Sequence, residues 1–122
     1  MDVRWLMDEV EAVSDAYARR HGITRDGTWF LLKLQEEAGE LTQAFLMRAG
    51  QARDKGHSPD ELEACFRAEL ADVLSHVLLL ARHHGVDLEA EVERKWLSRR
   101  RKRPAAQEGT TAQEGAVPRS GA

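Results

Sequence analysis

The chain has 122 residues, 42% of them hydrophobic, which allows one domain with a modest core that an oligomer interface would reinforce. Its single cysteine excludes a disulfide framework within the chain, and we recognise no signal peptide and no apolar run long enough to cross a bilayer, so a soluble cytoplasmic protein is expected. The formal net charge of −3 conceals a segregation, because residues 1–93 hold 19 acidic and 10 basic residues whereas residues 94–103 hold seven basic residues and no acidic one.

A first helix is predicted from about residue 3 to residue 21, with Asp2 as its N-cap and Gly22 after its end. Its apolar face carries, at helical spacing, Leu6, Val10, Val13 and Tyr17. The loop that follows is short, so we expect the second helix to pack antiparallel to the first.

A second helix, from about residue 28 to residue 49, has acidic residues where apolar ones are expected. One face of this helix carries the row Phe30, Leu34, Glu37, Leu41 and Ala44. Glu37 interrupts this row, Glu36 precedes it, and Glu40 lies one turn further along the same side. The pattern is EE-x-x-E within an otherwise hydrophobic stripe.

A third helix is predicted from residue 58, where the sequence SPDE supplies a capping box and a proline in the first turn, to about residue 84. Its apolar row contains Glu69, and Asp72 lies one turn further on, which gives an E-x-x-D pattern. Residues 73–81 are apolar on nearly every side. Because one partner helix cannot cover such a surface, we expect this helix both to be central in a bundle and to form a subunit interface.

A fourth helix is predicted from its N-cap, Asp87, to about residue 102, with Leu88, Val92 and Trp96 on the side that packs. From Pro104 onward the composition is of low complexity, and a disordered tail is expected over residues 104–122. The predicted architecture is therefore all-α: an antiparallel four-helix bundle in residues 1–103 that forms a homo-oligomer, either a dimer or a tetramer.

The two acidic patterns would meet if the second and third helices pack antiparallel. Carboxylates at an apolar interface lose hydration and raise one another's pKa, and a divalent cation removes that cost. Four carboxylates would then surround one point: Glu37, Glu40, Glu69 and Asp72. Hard oxygen ligands of this kind select Mg²⁺, with Mn²⁺ as a substitute, and leave positions for water and phosphate oxygens. The alternative is that these acids are solvated on helix surfaces.

An acidic metal site repels a polyphosphate unless cations also hold it. Lys95 and Arg99 lie one turn apart on the fourth helix and are the candidates for phosphate contacts. The basic run 100–103 also fits a solvated helix end that complements the helix dipole. Trp29 and His76 are candidates for contact with a base, although core packing explains each of them as well.

The segments KLQEEAGEL, ELADVLSHVLLLA and GVDLEAEVERKW resemble the MazG-like superfamily of all-α nucleoside triphosphate pyrophosphohydrolases, whose signature is EE-x-x-E, a spacer and E-x-x-D. The resemblance covers about residues 28–99, and the spacer of 28 residues is long for that family. It implies a Mg²⁺-dependent hydrolase that splits a nucleoside triphosphate between the α and β phosphates. The products would be a nucleoside monophosphate and pyrophosphate, and the role would be house-cleaning of the nucleotide pool.

The same resemblance implies a role for each acidic residue. The metal ligands would be Glu37, Glu40, Glu69 and Asp72. Glu36 would assist with water or a second ion, so the catalytic residues would be Glu36 and Glu37. The family holds phosphates at the positions of Lys95 and, with a weaker match, Arg99.

Three other functions share part of this pattern. A di-iron carboxylate bundle needs E-x-x-H pairs, which neither acidic motif supplies. A phosphoribosyl-ATP pyrophosphohydrolase often has a histidine where this chain has His76, but Ser75 replaces the tyrosine that family has before it. A non-enzymatic helical dimer would bind nucleic acid through the run RRRKR, which neutralises phosphates without reading sequence. No pattern of a recognition helix accompanies this run, so nucleic acid is not the expected partner.

Overall fold

A computed structural model of the chain describes residues 1–101. Its elements are α1 (Val3–His21), α2 (Gly27–Arg48), α3 (Pro59–His83), α4 (Leu88–Val92), a π-helical turn (Glu93–Leu97) and α5 (Ser98–Arg101). Every regular element in these residues is a helix, which confirms the predicted all-α class. The predicted disordered tail, residues 104–122, lies outside the described residues.

Side-chain caps fix where the three long helices begin. The Asp2 carboxylate accepts a hydrogen bond from the Trp5 amide at 2.8 Å, and Asp26 does the same for the Trp29 amide at 2.8 Å. Ser58 and Glu61 exchange side-chain and backbone hydrogen bonds in a capping box, as the sequence predicted. These caps satisfy amide groups that have no partner within the helix.

The main packing contact joins α2 and α3, which run antiparallel. The rings of Phe30 and His83 lie 4.7 Å apart at one end of this pair, and those of Phe45 and Phe66 lie 6.0 Å apart towards the other end. Buried residues between these contacts include Ala44 and residues 78–79. This arrangement brings the middle of α2, with its acidic residues, against the middle of α3.

Helix α1 packs mainly on α3. Residues near the start of α1 pair with residues at or just after the end of α3. Arg82 Nε donates to Asp8 at 3.1 Å, and Arg4 lies 4.0 Å from Asp87. Helix α1 is therefore antiparallel to α3, as α2 is. The expected antiparallel pairing of α1 with α2 is wrong. The difference arises in residues 22–26. Arg25 donates to Glu11 in the middle of α1, so the chain returns along α1 before α2 begins.

The chain divides into two compact units after Asp87. In the second unit, residues 88–101 form a helical segment interrupted by the π-helical turn. Val92 and Trp96, predicted on a packed side, are exposed, Trp96 by 61%, which corrects that prediction. No helix in residues 1–101 has an apolar window long enough to cross a bilayer. A single domain over residues 1–103 and the four-helix bundle type both stay predictions.

Candidate metal centre

Three glutamates from two helices converge where α2 packs on α3. Helix α2 supplies Glu37 and Glu40, one turn apart, and α3 supplies Glu69. One carboxylate oxygen of each residue lies within 4.8 Å of the other two. Glu37 is buried, Glu69 is partly buried and Glu40 is exposed, so the group opens to solvent on the side of Glu40.

Burial and repulsion by neighbouring charges make two of these carboxylates, those of Glu37 and Glu69, harder to ionise. The pKa of Glu37 is raised, first by its burial and then by the charges of Glu40 and Asp72. The pKa of Glu69 is raised for the same reasons and in the same order. In the absence of a cation, Glu37 and Glu69 therefore hold their protons more tightly than free glutamate side chains do.

The donor set suits a hard divalent cation. All three ligand atoms are carboxylate oxygens, which Mg²⁺ and Mn²⁺ prefer over nitrogen or sulfur. The Oε1 atom of Glu69 is buried and has no hydrogen-bond partner among the described residues. Such an atom loses its hydration without a compensating interaction, and a bound cation would offset that cost. The residues present therefore fit the metal that the sequence predicted.

Asp72, the fourth predicted ligand, lies beside this group and outside its 4.8 Å limit. Its charge contributes to the raised pKa of both Glu37 and Glu69, so its carboxylate is near both. Asp72 is also exposed. Three of the four predicted ligands thus come together, and the fourth borders them on the solvent side.

Glu36 is not among the three converging glutamates and pairs with Lys33, whose Nζ donates to Glu36 Oε1 at 2.7 Å. This hydrogen bond is the main cause of the lowered pKa of Glu36. Lys33 was not among the predicted site residues. Its spacing of three and four residues from Glu36 and Glu37 was the available signal, since such residues share a helix face.

Beside the acidic group, a cavity of about 570 Å³ lies between α1, α2 and α3. Trp29 and His76, the predicted candidates for contact with a base, both line it, together with Lys33 and Asp72. The Nδ1 atom of His76 is buried without a hydrogen-bond partner among the described residues. Burial, followed by the charge of Lys33, lowers the pKa of His76, which favours the neutral ring.

The residues of α1 that line this cavity include part of its predicted apolar face. Val13 and Tyr17 belong to the apolar row of α1, yet they are 73% and 55% exposed and line the cavity. Helical spacing identified the row but not what covers it. Because α1 packs mainly on α3, part of the row stays accessible.

Lys95 and Arg99, the predicted phosphate contacts, belong to the second unit. Lys95 lies in the π-helical turn, and the Arg99 guanidinium lies over the Trp96 ring, 5.6 Å from its centroid. Both side chains belong to exposed residues. Their role towards the glutamates stays a prediction.

Comparison of the chain with protein-family models, with curated proteins and with solved structures gives no match. The chemistry of the site is therefore inferred from its own residues and geometry.

Proposed function

We propose that the protein is a cytoplasmic, Mg²⁺-dependent nucleoside triphosphate pyrophosphohydrolase, which cleaves between the α and β phosphates and releases pyrophosphate. The observation that carries this proposal is the convergence of three glutamate oxygens from α2 and α3 within 4.8 Å, at an interface where one of those residues is buried. The resemblance of the EE-x-x-E and E-x-x-D patterns to the MazG-like superfamily supports it.

In this proposal Glu37, Glu40 and Glu69 hold the cation, and Asp72 completes the acidic set. Bound Mg²⁺ would neutralise charge on the phosphate oxygens and lower the pKa of a coordinated water. Glu36, kept ionised by Lys33, is a hydrogen-bond acceptor for the attacking water. No serine or cysteine nucleophile is required.

The substrate would be held at two further places. By the resemblance, Lys95 and Arg99 are the proposed phosphate contacts, because four carboxylates alone would repel a polyphosphate. Trp29 and His76 line the neighbouring cavity and are the proposed contacts to the base. A homo-oligomer, a dimer or a tetramer, is the proposed assembly, because the unit that carries the acids leaves large apolar residues exposed.

The direct test is pyrophosphate release from a panel of common and modified nucleoside triphosphates with Mg²⁺ or Mn²⁺. We expect Glu37→Gln to abolish release, because it removes a charged ligand from the buried side of the group. The matched control is Glu89→Gln, which changes an exposed helix-surface acid to the same amide. Absence of release by the unmodified protein from every triphosphate, with either ion, would refute the proposal.

A second candidate function is nucleic-acid binding by the basic helical segment. The exposed Trp96 ring under the Arg99 guanidinium favours it, because an aromatic ring beside arginines stacks bases and neutralises phosphates. Salt-sensitive retention of single-stranded DNA, lost in Trp96→Ala and unaccompanied by pyrophosphate release, would support this function over the enzyme.

A further inference from the structure

The cavity beside the acidic group combines an ionic end with an aromatic interior. Asp72 and Lys33 line it, and Lys33 lies one helical turn before Glu37 on α2. A ligand with a charged group at the glutamates can therefore extend its remaining part into the cavity. The volume of about 570 Å³ is in the range that encloses small organic ligands.

Two aromatic side chains face this space from different helices. Trp29 on α2 is partly buried, and its ring packs edge-on against Phe30, with centroids 5.2 Å apart. Tyr17 on α1 is more exposed, and its ring lies 4.3 Å from that of His21. Each ring is held by a neighbour yet keeps accessible surface. A planar aromatic ligand would gain stacking energy here that an aliphatic ligand would not.

Two polar groups in the cavity have unused hydrogen-bonding capacity. Ser14 Oγ accepts a hydrogen bond from Arg25 Nη1 at 3.0 Å, which fixes its position and leaves its own proton to donate. His76 Nδ1 is buried and has no partner among residues 1–101. Buried polar atoms without partners are costly, so a ligand that pairs with them gains affinity and selectivity.

We infer that this cavity recognises the base of a nucleoside, and that α1, through Tyr17 and Ser14, determines which base is accepted. The inference rests on the proposed function, because that function supplies the phosphates at the ionic end. It extends the function by assigning selectivity to α1, which carries none of the acidic ligands. Tyr17 supplies the stacking surface, and Ser14 with His76 supplies hydrogen bonds to the ring edge.

The test measures binding of nucleosides that lack phosphate, in the absence of metal. In the full chain, Trp5→Phe and Trp96→Phe leave Trp29 as the single fluorescent tryptophan. Titration with adenosine, guanosine, cytidine and uridine should change its fluorescence in a saturable way and favour one base. Tyr17→Ala should weaken binding by about tenfold, as expected for a stacked base, and Tyr17→Phe should retain most of it. Ser14→Ala should reduce the preference among bases.

Melting curves verify that each variant is folded, and Tyr17→Leu, which keeps an apolar side chain but removes the aromatic ring, replaces Tyr17→Ala if that variant is not folded. Glu37→Gln should leave nucleoside binding unchanged while abolishing pyrophosphate release. Saturable binding without hydrolysis by the unmodified protein would refute the proposed function and keep this inference. Hydrolysis without any saturable nucleoside binding would refute the inference. If neither Tyr17→Ala nor Ser14→Ala changes the nucleoside affinity or the base preference, the inference is also refuted, because other residues then determine selectivity.

Discussion

At Glu37 a carboxyl group lies in the α2–α3 interface beside Glu40 and Asp72, and its pKa is raised by burial first and by these neighbours second. The folded protein therefore binds this proton more tightly than the unfolded chain does. A group of this kind lowers the stability of the metal-free protein as pH rises from the ordinary glutamate pKa, 4.5, through the raised value. A bound cation would remove this cost of ionising Glu37, so the same carboxylates favour cation binding.

We predict that Glu37→Gln stabilises the metal-free protein at neutral pH by about 1 kcal/mol, and that this gain disappears as pH falls below the ordinary glutamate pKa. Urea unfolding in EDTA across this pH range measures the difference. The control is Glu36→Gln, at the adjacent residue. Its pKa is lowered by Lys33, so loss of this group should reduce stability at neutral pH and have no effect in acid. Equal pH profiles for the two variants would contradict the assignment of opposite environments.

Divalent metal should reverse the repulsion among these residues. We predict that Mg²⁺ or Mn²⁺ at a hundredfold excess over its dissociation constant stabilises the protein by about 2.7 kcal/mol, which raises the melting temperature by roughly 10 °C. Glu69→Gln should largely remove this shift, because it alters the carboxylate that has an unpartnered buried oxygen. Sodium chloride at the same ionic strength is the control. A melting curve unaffected by either ion would show that the glutamates do not form a metal site.

At the level of elements, Arg25 connects residues 22–26 to α1. Its side chain is only 12% exposed, and its guanidinium donates to both oxygens of Glu11, at 3.1 and 2.7 Å, and to Asp15 at 3.2 Å. It also lies 5.2 Å from the centroid of the Phe30 ring. This single side chain therefore links α1, the loop and the first turns of α2.

We predict that Arg25→Met destabilises the protein by about 2–3 kcal/mol, because it leaves the partly buried Glu11 without its bidentate partner. Arg25→Lys should recover only part of this loss, since an ammonium group cannot form the same paired hydrogen bonds. The control is Arg19→Met: Arg19 also binds Asp15, but its side chain is 80% exposed, and the cost should stay below about 0.5 kcal/mol. Equal unfolding free energies for the two methionine variants would contradict this role of Arg25.

The sequence predicted those features of the helices that depend on neighbouring residues. Gly22 at φ 65° ends α1, and the capping box at Ser58 begins α3, because both depend on local backbone geometry. The burial of Glu37 was also predictable, since an acid within an apolar row has to face the packing partner. The direction of α1 was not, because loop length alone does not show that Arg25 will bind Glu11. The cavity followed from that direction and was missed with it.

On the scale of the whole molecule, the unit formed by residues 1–87 leaves several large apolar residues exposed. Leu31 and Leu32 are exposed on α2, and Leu70 and Leu74 on α3, where they lie one turn apart. Exposed apolar residues grouped on one helix side commonly mark a protein interface. Both acid-bearing helices therefore also have exposed apolar surface available for a second copy of the chain.

We predict that the protein self-associates through α3 and that Leu74→Arg, or Leu70→Arg, converts it to a monomer, because a charged side chain cannot be buried unpaired in an apolar interface. Light scattering after size-exclusion chromatography measures the molar mass. The control is Ala68→Arg, which adds the same charge to an exposed position about 160° around the helix from Leu70. It should leave the mass unchanged. If the unmodified protein has the mass of one chain at every concentration, or if Ala68→Arg dissociates it as fully as Leu74→Arg does, α3 does not form the interface.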